Sequence, residues 1–231
     1  MIDVLIEKFD MPEEVLPKKL DSLSSLNLSG ENISNLTGIE YCTSLTSLML
    51  DDNEIRDISD LEGLTSLTHL YLNNNRIRDL SALGNLTSLD TVFLSDNEIK
   101  DVSPLSGLTS LKRLYLNNNR INDISTLENL SSLTNLMLDN NEIREVNALS
   151  KLTSLKRLFL NNNKINDASA LRNLTSLKQL KLDNNEDGVV SNSVNLTSQS
   201  NPKSGHGCLS FSLFVFLFFM GGMGYVLWPI L

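Results

Sequence analysis

With 231 residues, 41% of them hydrophobic, the chain is long enough to bury a substantial core. Its formal net charge of −9 argues against general nucleic-acid binding, which needs a basic footprint. Two histidines and two cysteines leave little material for a His-based triad, a zinc site or a disulfide framework.

The chain opens on IDVLIEKFDMPEEVLPKKLDS, in which Ile2, Leu5, Ile6, Phe9, Val15, Leu16 and Leu20 are interleaved with charges. Residues 1–22 read as an N-terminal cap that runs into a partial repeat. The acidic residues and the lack of a continuous apolar run argue against a signal peptide.

A 22-residue repeat then takes over, opened by Leu23, Leu45, Leu67, Leu89, Leu111, Leu133, Leu155 and Leu177. A fixed period of this length is the signature of a solenoid. Counting from the opening leucine, apolar residues recur at positions 1, 4, 6, 11, 14, 17 and 20; the second unit supplies Leu45, Leu48, Leu50, Ile55, Ile58, Leu61 and Leu64. One unit cannot bury these side chains alone, whereas stacked units bury them as a continuous core. Alternation around positions 3 to 7 predicts a short strand with inward leucines. Position 9 is Asn from Asn53 to Asn185, where a side-chain amide can satisfy buried backbone groups of neighbouring turns. Position 15 is Ser59, Ser81, Ser103, Ser125 or Ser169, which fits an N-cap opening a short helical or 3₁₀ turn.

The pattern LxxLxLxxNxIxDISxLxxLTS resembles the leucine-rich repeat in its 22-residue class, over roughly residues 20 to 185. Within that class it is similar both to the regulatory subunit of protein phosphatase 1 and to the bacterial internalins. The resemblance implies an α/β fold: a right-handed leucine-rich-repeat solenoid, or horseshoe, with a parallel β-sheet on the concave face. It implies a non-catalytic protein-binding module, with a phosphatase-regulator-like subunit or an internalin-like adhesion protein as alternatives. Extracellular eukaryotic members usually carry disulfide-rich caps; Cys42, in a leucine slot at position 20, reads instead as a core thiol. The cysteine usage favours a reducing compartment or a bacterial origin.

The solenoid is expected over residues 23–187, as about eight units of which the last is incomplete. Unit eight begins well with LKQLKLDNN, then Asp187 stands where an isoleucine is due. The dedicated C-terminal cap of the phosphatase-regulator type is not found in the sequence. Leu177, Leu180 and Leu182 are therefore expected to form an apolar edge, open to cover by the tail, by a partner or by self-association.

Residues 188–207, rich in Ser, Asn and Gly, read as a flexible linker. Residues 208–231 form an apolar segment with no charge, long enough for a transmembrane helix. A C-terminal anchor is the leading expectation, with Lys203 weakly favouring a cytosolic solenoid. A GPI-attachment signal at Ser204 and Gly205 also stays open. So does a tail foreign to the native protein, such as translated non-coding sequence, in which case the solenoid would be soluble in cytoplasm or nucleus. Sequons occur at Asn27, Asn32, Asn35, Asn85, Asn129, Asn173 and Asn195 and matter only in a secretory lumen.

Function is expected on the concave face, from positions 2, 3, 5, 7 and 8. Position 5 carries Met49, Tyr71, Phe93, Tyr115, Met137 and Phe159 in consecutive units, and outward apolar surface of this kind marks interaction sites. His69, Arg113 and Arg157 at position 3 complete the candidate partner-binding set. Charge along the face is graded: Asp51, Asp52, Asp90 and Asp96 precede Lys112, Arg113, Lys156, Arg157, Lys178 and Lys181. Position 10 alternates in sign from Glu54 to Glu186, predicting an ion-pair ladder. Position 13 stacks Asp57, Asp79, Asp101, Asp123, Glu145 and Asp167, for which turn capping is a better reading than calcium binding. No catalytic residue, metal site or cofactor is assigned, and the partner is expected to be a protein.

Overall fold

The computed structural model describes residues 20–186. Most of the predicted N-terminal cap, the linker and the apolar segment lie outside them. Among the described residues no helix is long and apolar enough to cross a membrane.

Each unit contributes one strand: β1 Ser25–Asn27, β2 Ser47–Met49, β3 His69–Tyr71, β4 Thr91–Phe93, β5 Arg113–Tyr115, β6 Asn135–Met137, β7 Arg157–Phe159 and β8 Gln179–Lys181. They form an eight-stranded parallel sheet in sequence order, every strand paired to the same position of the next unit. The strands occupy positions 3 to 5, shorter than the predicted span of 3 to 7. Position 8 ends them early: Asp52, Asn74, Asp96, Asn118, Asn140, Asn162 and Asn184 all adopt positive φ, between 53° and 58°. Asn and Asp are the non-glycine residues that tolerate this region best, and unit one places Gly30 there, at φ 73°.

The return path of each of the first seven units carries a 3₁₀ turn, from Ile39–Tyr41 through Ser59–Leu61 and Ser125–Asn129 to Ser169–Asn173. The serines open these turns but do not cap them, contrary to the expectation at position 15. They are the first 3₁₀ residue, and the residue before each, such as Ile58 or Ile124, makes no side-chain cap bond. The capping oxygen comes two residues earlier, from position 13. Asp57 Oδ1 accepts the Ser59 N–H at 2.9 Å, and Asp123 Oδ1 accepts that of Ser125 at 2.8 Å. An Asx side chain bonding its own backbone two residues on is a strong local turn signal. The backbone N–H holds the carboxyls of Asp57, Asp123 and Asp167 below the usual range, and the Ser81 hydroxyl does the same for Asp79.

Between sheet and 3₁₀ row lies the core. At position 4, Leu48, Leu70, Val92, Leu114, Leu136 and Leu158 are fully buried, as are the leucines opening units two to six. Fully burying one such side chain stabilises by about 1.5–3 kcal/mol. Cys42 belongs to this core, where burial, aided by Glu40 and Asp21, pushes its thiol up to about 12.

The position 9 asparagines line the same core as a buried polar ladder. Asn119 Oδ1 accepts the Ile99 N–H at 3.0 Å, while its Nδ2 donates to the carbonyls of Leu94 at 2.9 Å, Leu116 at 3.1 Å and Asn117 at 3.2 Å. The same bonding runs from Asn53 to Asn163, so backbone groups of the bend that would otherwise be orphaned are satisfied. At the far end the expected apolar edge is narrower than the sequence suggests. Leu177 and Leu182 are buried; only Leu180, on the last strand of the described sheet, is half-buried.

Candidate partner-binding face

Positions 3 and 5 flank the inward leucine of each strand, so their side chains leave the opposite face of the sheet. In-register pairing brings position 5 into one row: Met49 beside Tyr71, Tyr71 beside Phe93, Phe93 beside Tyr115, Tyr115 beside Met137, Met137 beside Phe159. Tyr71 and Phe93 stack with ring centroids 4.8 Å apart, Phe93 and Tyr115 with centroids 4.3 Å apart and planes 7° from parallel. Ring faces are therefore spent on one another, and what these rings offer a partner is their edges. Met49, Tyr71, Phe93, Tyr115 and Phe159 are half-buried. Met137 departs from expectation: at 7% exposure it is a buried residue, set between Tyr115 and Phe159 in adjacent strands, and contributes packing rather than open surface. Lys181 continues the row, with its ammonium 4.4 Å from the Phe159 ring centroid.

The position 3 candidates split. His69 is half-buried, with Nδ1 2.9 Å from the Thr68 hydroxyl. Arg113 is held: its Nε donates to the buried Thr91 hydroxyl at 2.9 Å and its guanidinium meets Asp90 at 3.2 Å. Arg157 is exposed; its backbone N–H donates to the Thr134 carbonyl at 3.0 Å, but among the described residues no hydrogen bond or ion pair engages its guanidinium.

The graded charge is less symmetric than the sequence implies, because the N-terminal acids are occupied internally. Asp51 Oδ1 accepts the Asn73 N–H, Asp52 accepts from Asn74 Nδ2, and Asp96 accepts from Asn118 Nδ2. Asp90 takes both Lys112, at 2.7 Å, and Arg113. Burial pushes the Asp90 carboxyl up, but hydrogen bonds from Lys112 and Thr91 more than offset this and hold it below the usual range. Asp51 and Asp139 lie the other way: burial lifts both, against the amide bonds from Asn73 and Asn161.

Two rows on this face have no counterpart in the sequence reading. At position 8 a chain of exposed amides runs Asn184 to Asn162 to Asn140 to Asn118 to Asp96, each Nδ2 donating to the Oδ1 of the unit before at 2.6–2.7 Å. At position 7, side-chain oxygens accept from the next unit's backbone, as Asn73 does from Ser95 and Asn161 from Asp183. The row is interrupted at Asn117, whose buried Oδ1 has no hydrogen-bond partner. The Asn/Asp usage at position 8 of units two to eight was the available signal.

Position 10 forms separate pairs rather than a continuous ladder. Arg76 meets Glu54 at 3.2 Å, Arg120 meets Glu98 at 3.7 Å and Lys164 meets Glu142 at 2.9 Å. Each cation reaches only toward the preceding unit, and Arg78 and Arg144 from position 12 engage Glu98 and Glu186. Among the described residues no group of His, Cys, Asp and Glu has the arrangement of a metal site. A depression of about 510 Å³ follows the 3₁₀ row past Ser125, Glu128 and Asn147, but its one carboxylate is already paired with Lys151. A second, of about 400 Å³, lies on the sheet face along Asp90, Arg113, Lys156, Arg157 and Lys178.

Comparison with known proteins agrees with this geometry. The family described as Leucine Rich repeats (2 copies) matches residues 43–85, 65–107, 87–129, 109–151 and 131–173, together more than half of the chain. No curated protein matches it. Among solved structures, an internalin (inlF) from Listeria monocytogenes is 35% identical, with a TM-score of 0.61 over 74% of this chain. The chain spans 57% of that protein's length. Internalin C2 from the same organism is 34% identical, with a TM-score of 0.60, covering 72% of this chain and 83% of that one. The leucine-rich-repeat ectodomain of the Arabidopsis thaliana membrane receptor kinase GASSHO1/SCHENGEN3, solved with CASPARIAN STRIP INTEGRITY FACTOR 2, is 27% identical, with a TM-score of 0.63 over 70% of this chain and 21% of its own. Repeat, register and relatives agree: the chain belongs to the leucine-rich-repeat family, as an internalin-like solenoid built for protein interaction.

Proposed function

We propose that this chain is a non-catalytic scaffold that binds a protein partner on its concave face, and that residues 208–231 tether it to a membrane. The observation carrying the first half is the half-buried aromatic row. Tyr71, Phe93 and Tyr115 point away from the leucine core yet form one apolar strip across adjacent strands. Apolar strips flanked by arginine are where binding energy concentrates at protein interfaces. Met49, Phe159, His69, Arg113 and Arg157 extend the strip, with Met137 packed within the row between Tyr115 and Phe159.

The test is capture of partners by the full-length protein, followed by a binding titration of each recovered protein. Tyr115→Ala is expected to weaken a concave-face partner by about tenfold. Unchanged affinity for every captured protein overturns the reading. For the tether, the uncharged stretch is the support. The full chain is expected to resist carbonate extraction and a version ending at Gly207 to be released. Release of both removes the membrane proposal.

A second reading is an internalin-like surface adhesion protein, favoured by the 35% and 34% identity to two internalins. It predicts that the solenoid of intact cells is cleaved by external protease, whereas a cytosolic solenoid is protected.

A further inference from the structure

The sheet-face depression contains the same cationic motif twice, once with a carboxylate and once without. In the first copy, Lys112 and Arg113 at positions 2 and 3 of unit five receive Asp90 from position 2 of unit four. In the second, Lys156 and Arg157 occupy the same two positions of unit seven, but position 2 of unit six is Thr134. Thr134 spends its hydroxyl on the Lys112 carbonyl, at 3.0 Å. Position 3 of unit six is Asn135, which stands to Arg157 as Thr91 stands to Arg113. Lys178 then adds a third cation in unit eight. Lys156, Arg157 and Lys178 are all exposed, and among the described residues no acid pairs with any of them.

We propose that Lys156, Arg157 and Lys178 form a docking subsite for an acidic segment of a protein partner, in which a guest Asp or Glu carboxylate takes the place that Asp90 takes against Lys112 and Arg113. This rests on the concave face being the binding surface and adds the chemistry of what it binds. The first copy shows that this Lys-Arg arrangement receives a carboxylate with one ammonium and one guanidinium contact. Charge-assisted bonds of this type are stronger than neutral ones and are oriented by the guanidinium plane. The carboxylates of Asp51, Asp52, Asp90, Asp96 and Asp139 accept from the chain's own groups, and among the described residues none of the acids on this face, Asp183 included, pairs with the three cations, so the subsite is not neutralised from within. An acidic protein that leaves one cationic depression open selects a local acidic guest rather than a long polyanion, which its net charge of −9 repels.

The probe is acetylated, amidated octaglutamate titrated into the full-length protein at low ionic strength, with octaglutamine as control. Saturable binding is expected for octaglutamate, weakening as salt is added, and none for octaglutamine. Thr134→Asp supplies the missing internal carboxylate and is expected to reduce octaglutamate affinity by about tenfold or more while leaving the fold intact. The double change Lys156→Gln with Arg157→Gln, at two exposed positions, is expected to do the same. Tyr115→Ala is expected to leave it within about twofold. Wild-type affinity in Thr134→Asp and in the Lys156/Arg157 double variant overturns the subsite. So does equal or tighter binding of single-stranded oligothymidylate of the same charge, which would make it a general polyanion surface. The titration contains no partner, so its failure leaves the aromatic strip standing, and failure of the Tyr115→Ala test leaves the subsite measurable.

Discussion

The inward and outward rows of this solenoid follow opposite rules. Inward, position 4 is Leu or Val and position 9 is Asn in every unit from the second to the seventh, all of them buried. Outward, position 5 passes through Asn27, Met49, Tyr71, Phe93, Tyr115, Met137, Phe159 and Lys181. A side chain that must fit between two copies of itself has one solution; one that meets solvent on one side has many. Monotony therefore marks what the fold requires, and variation marks where this chain differs from any other repeat protein.

Adjacent residues that point opposite ways put this contrast to the test. The largest effect is expected at Asn119→Ala, which strands the Ile99 N–H inside the bend and takes one of two amide donors from each of the Leu94 and Leu116 carbonyls. It should cost about 3–5 kcal/mol by denaturant titration. Its neighbour Asn118→Ala loses a tolerated positive φ and two exposed amide bonds and should cost about 1–2 kcal/mol. Equal costs for the two would erase the distinction. Next comes Leu114→Ala, expected to cost about 2–5 kcal/mol through its cavity. Tyr115→Ala, losing mainly its stack on Phe93, should cost about 1 kcal/mol. A thermal melt of each decides; a Tyr115→Ala melt as low as that of Leu114→Ala would make the aromatic row structural.

Smaller effects are expected from the turn caps. Asp123→Ala should cost about 1 kcal/mol or less, since the lost bond is exposed to water. Asp57, Asp123 and Asp167 have carboxyls held down in the folded state. Their contribution is present above the ordinary Asp value of 3.8 and is lost as pH falls through the lower folded values. Asp123→Asn, which keeps the acceptor but not the charge, should flatten the acid limb of stability by its own share. The smallest change, and the only gain, is expected at Asp139→Asn. It removes a carboxylate whose charged form burial disfavours and provides a donor beside the unpartnered Asn117 oxygen. The gain should be under about 1 kcal/mol; a loss would show that the Asp139 charge is needed where it stands.

Much of this was readable without coordinates because the period does the work. Leu48, Leu70 and Leu114 recur at one position, and one position means one environment, so core, strand order and register follow together. The position 13 carboxylates were also legible as caps, since Asp followed by Ser two residues on carries its own local bond. What could not be read depends on which atoms meet across units. The 22-residue spacing puts Glu98 and Arg120 side by side, but side-chain length and direction decide that Arg78 also reaches Glu98. Likewise Met137 and Phe159 look equivalent in sequence, yet unequal neighbours leave one buried and the other half-open. The Asp90 site was hidden for the same reason: position 2 shows a charge change, not the contact that consumes it.

The position 9 asparagine has a consequence for how the chain is made. Its Oδ1 reaches back to close the bend of the unit before, as Asn75 closes at Ile55 and Asn97 at Ile77. Among the described residues, none of units one to seven completes its own bend. On the ribosome, a unit that has already emerged waits for the next asparagine, 20 residues downstream of the amide it serves, before its last buried donor is satisfied. A chain cut short at a repeat boundary therefore ends in one turn whose buried donor is unmet.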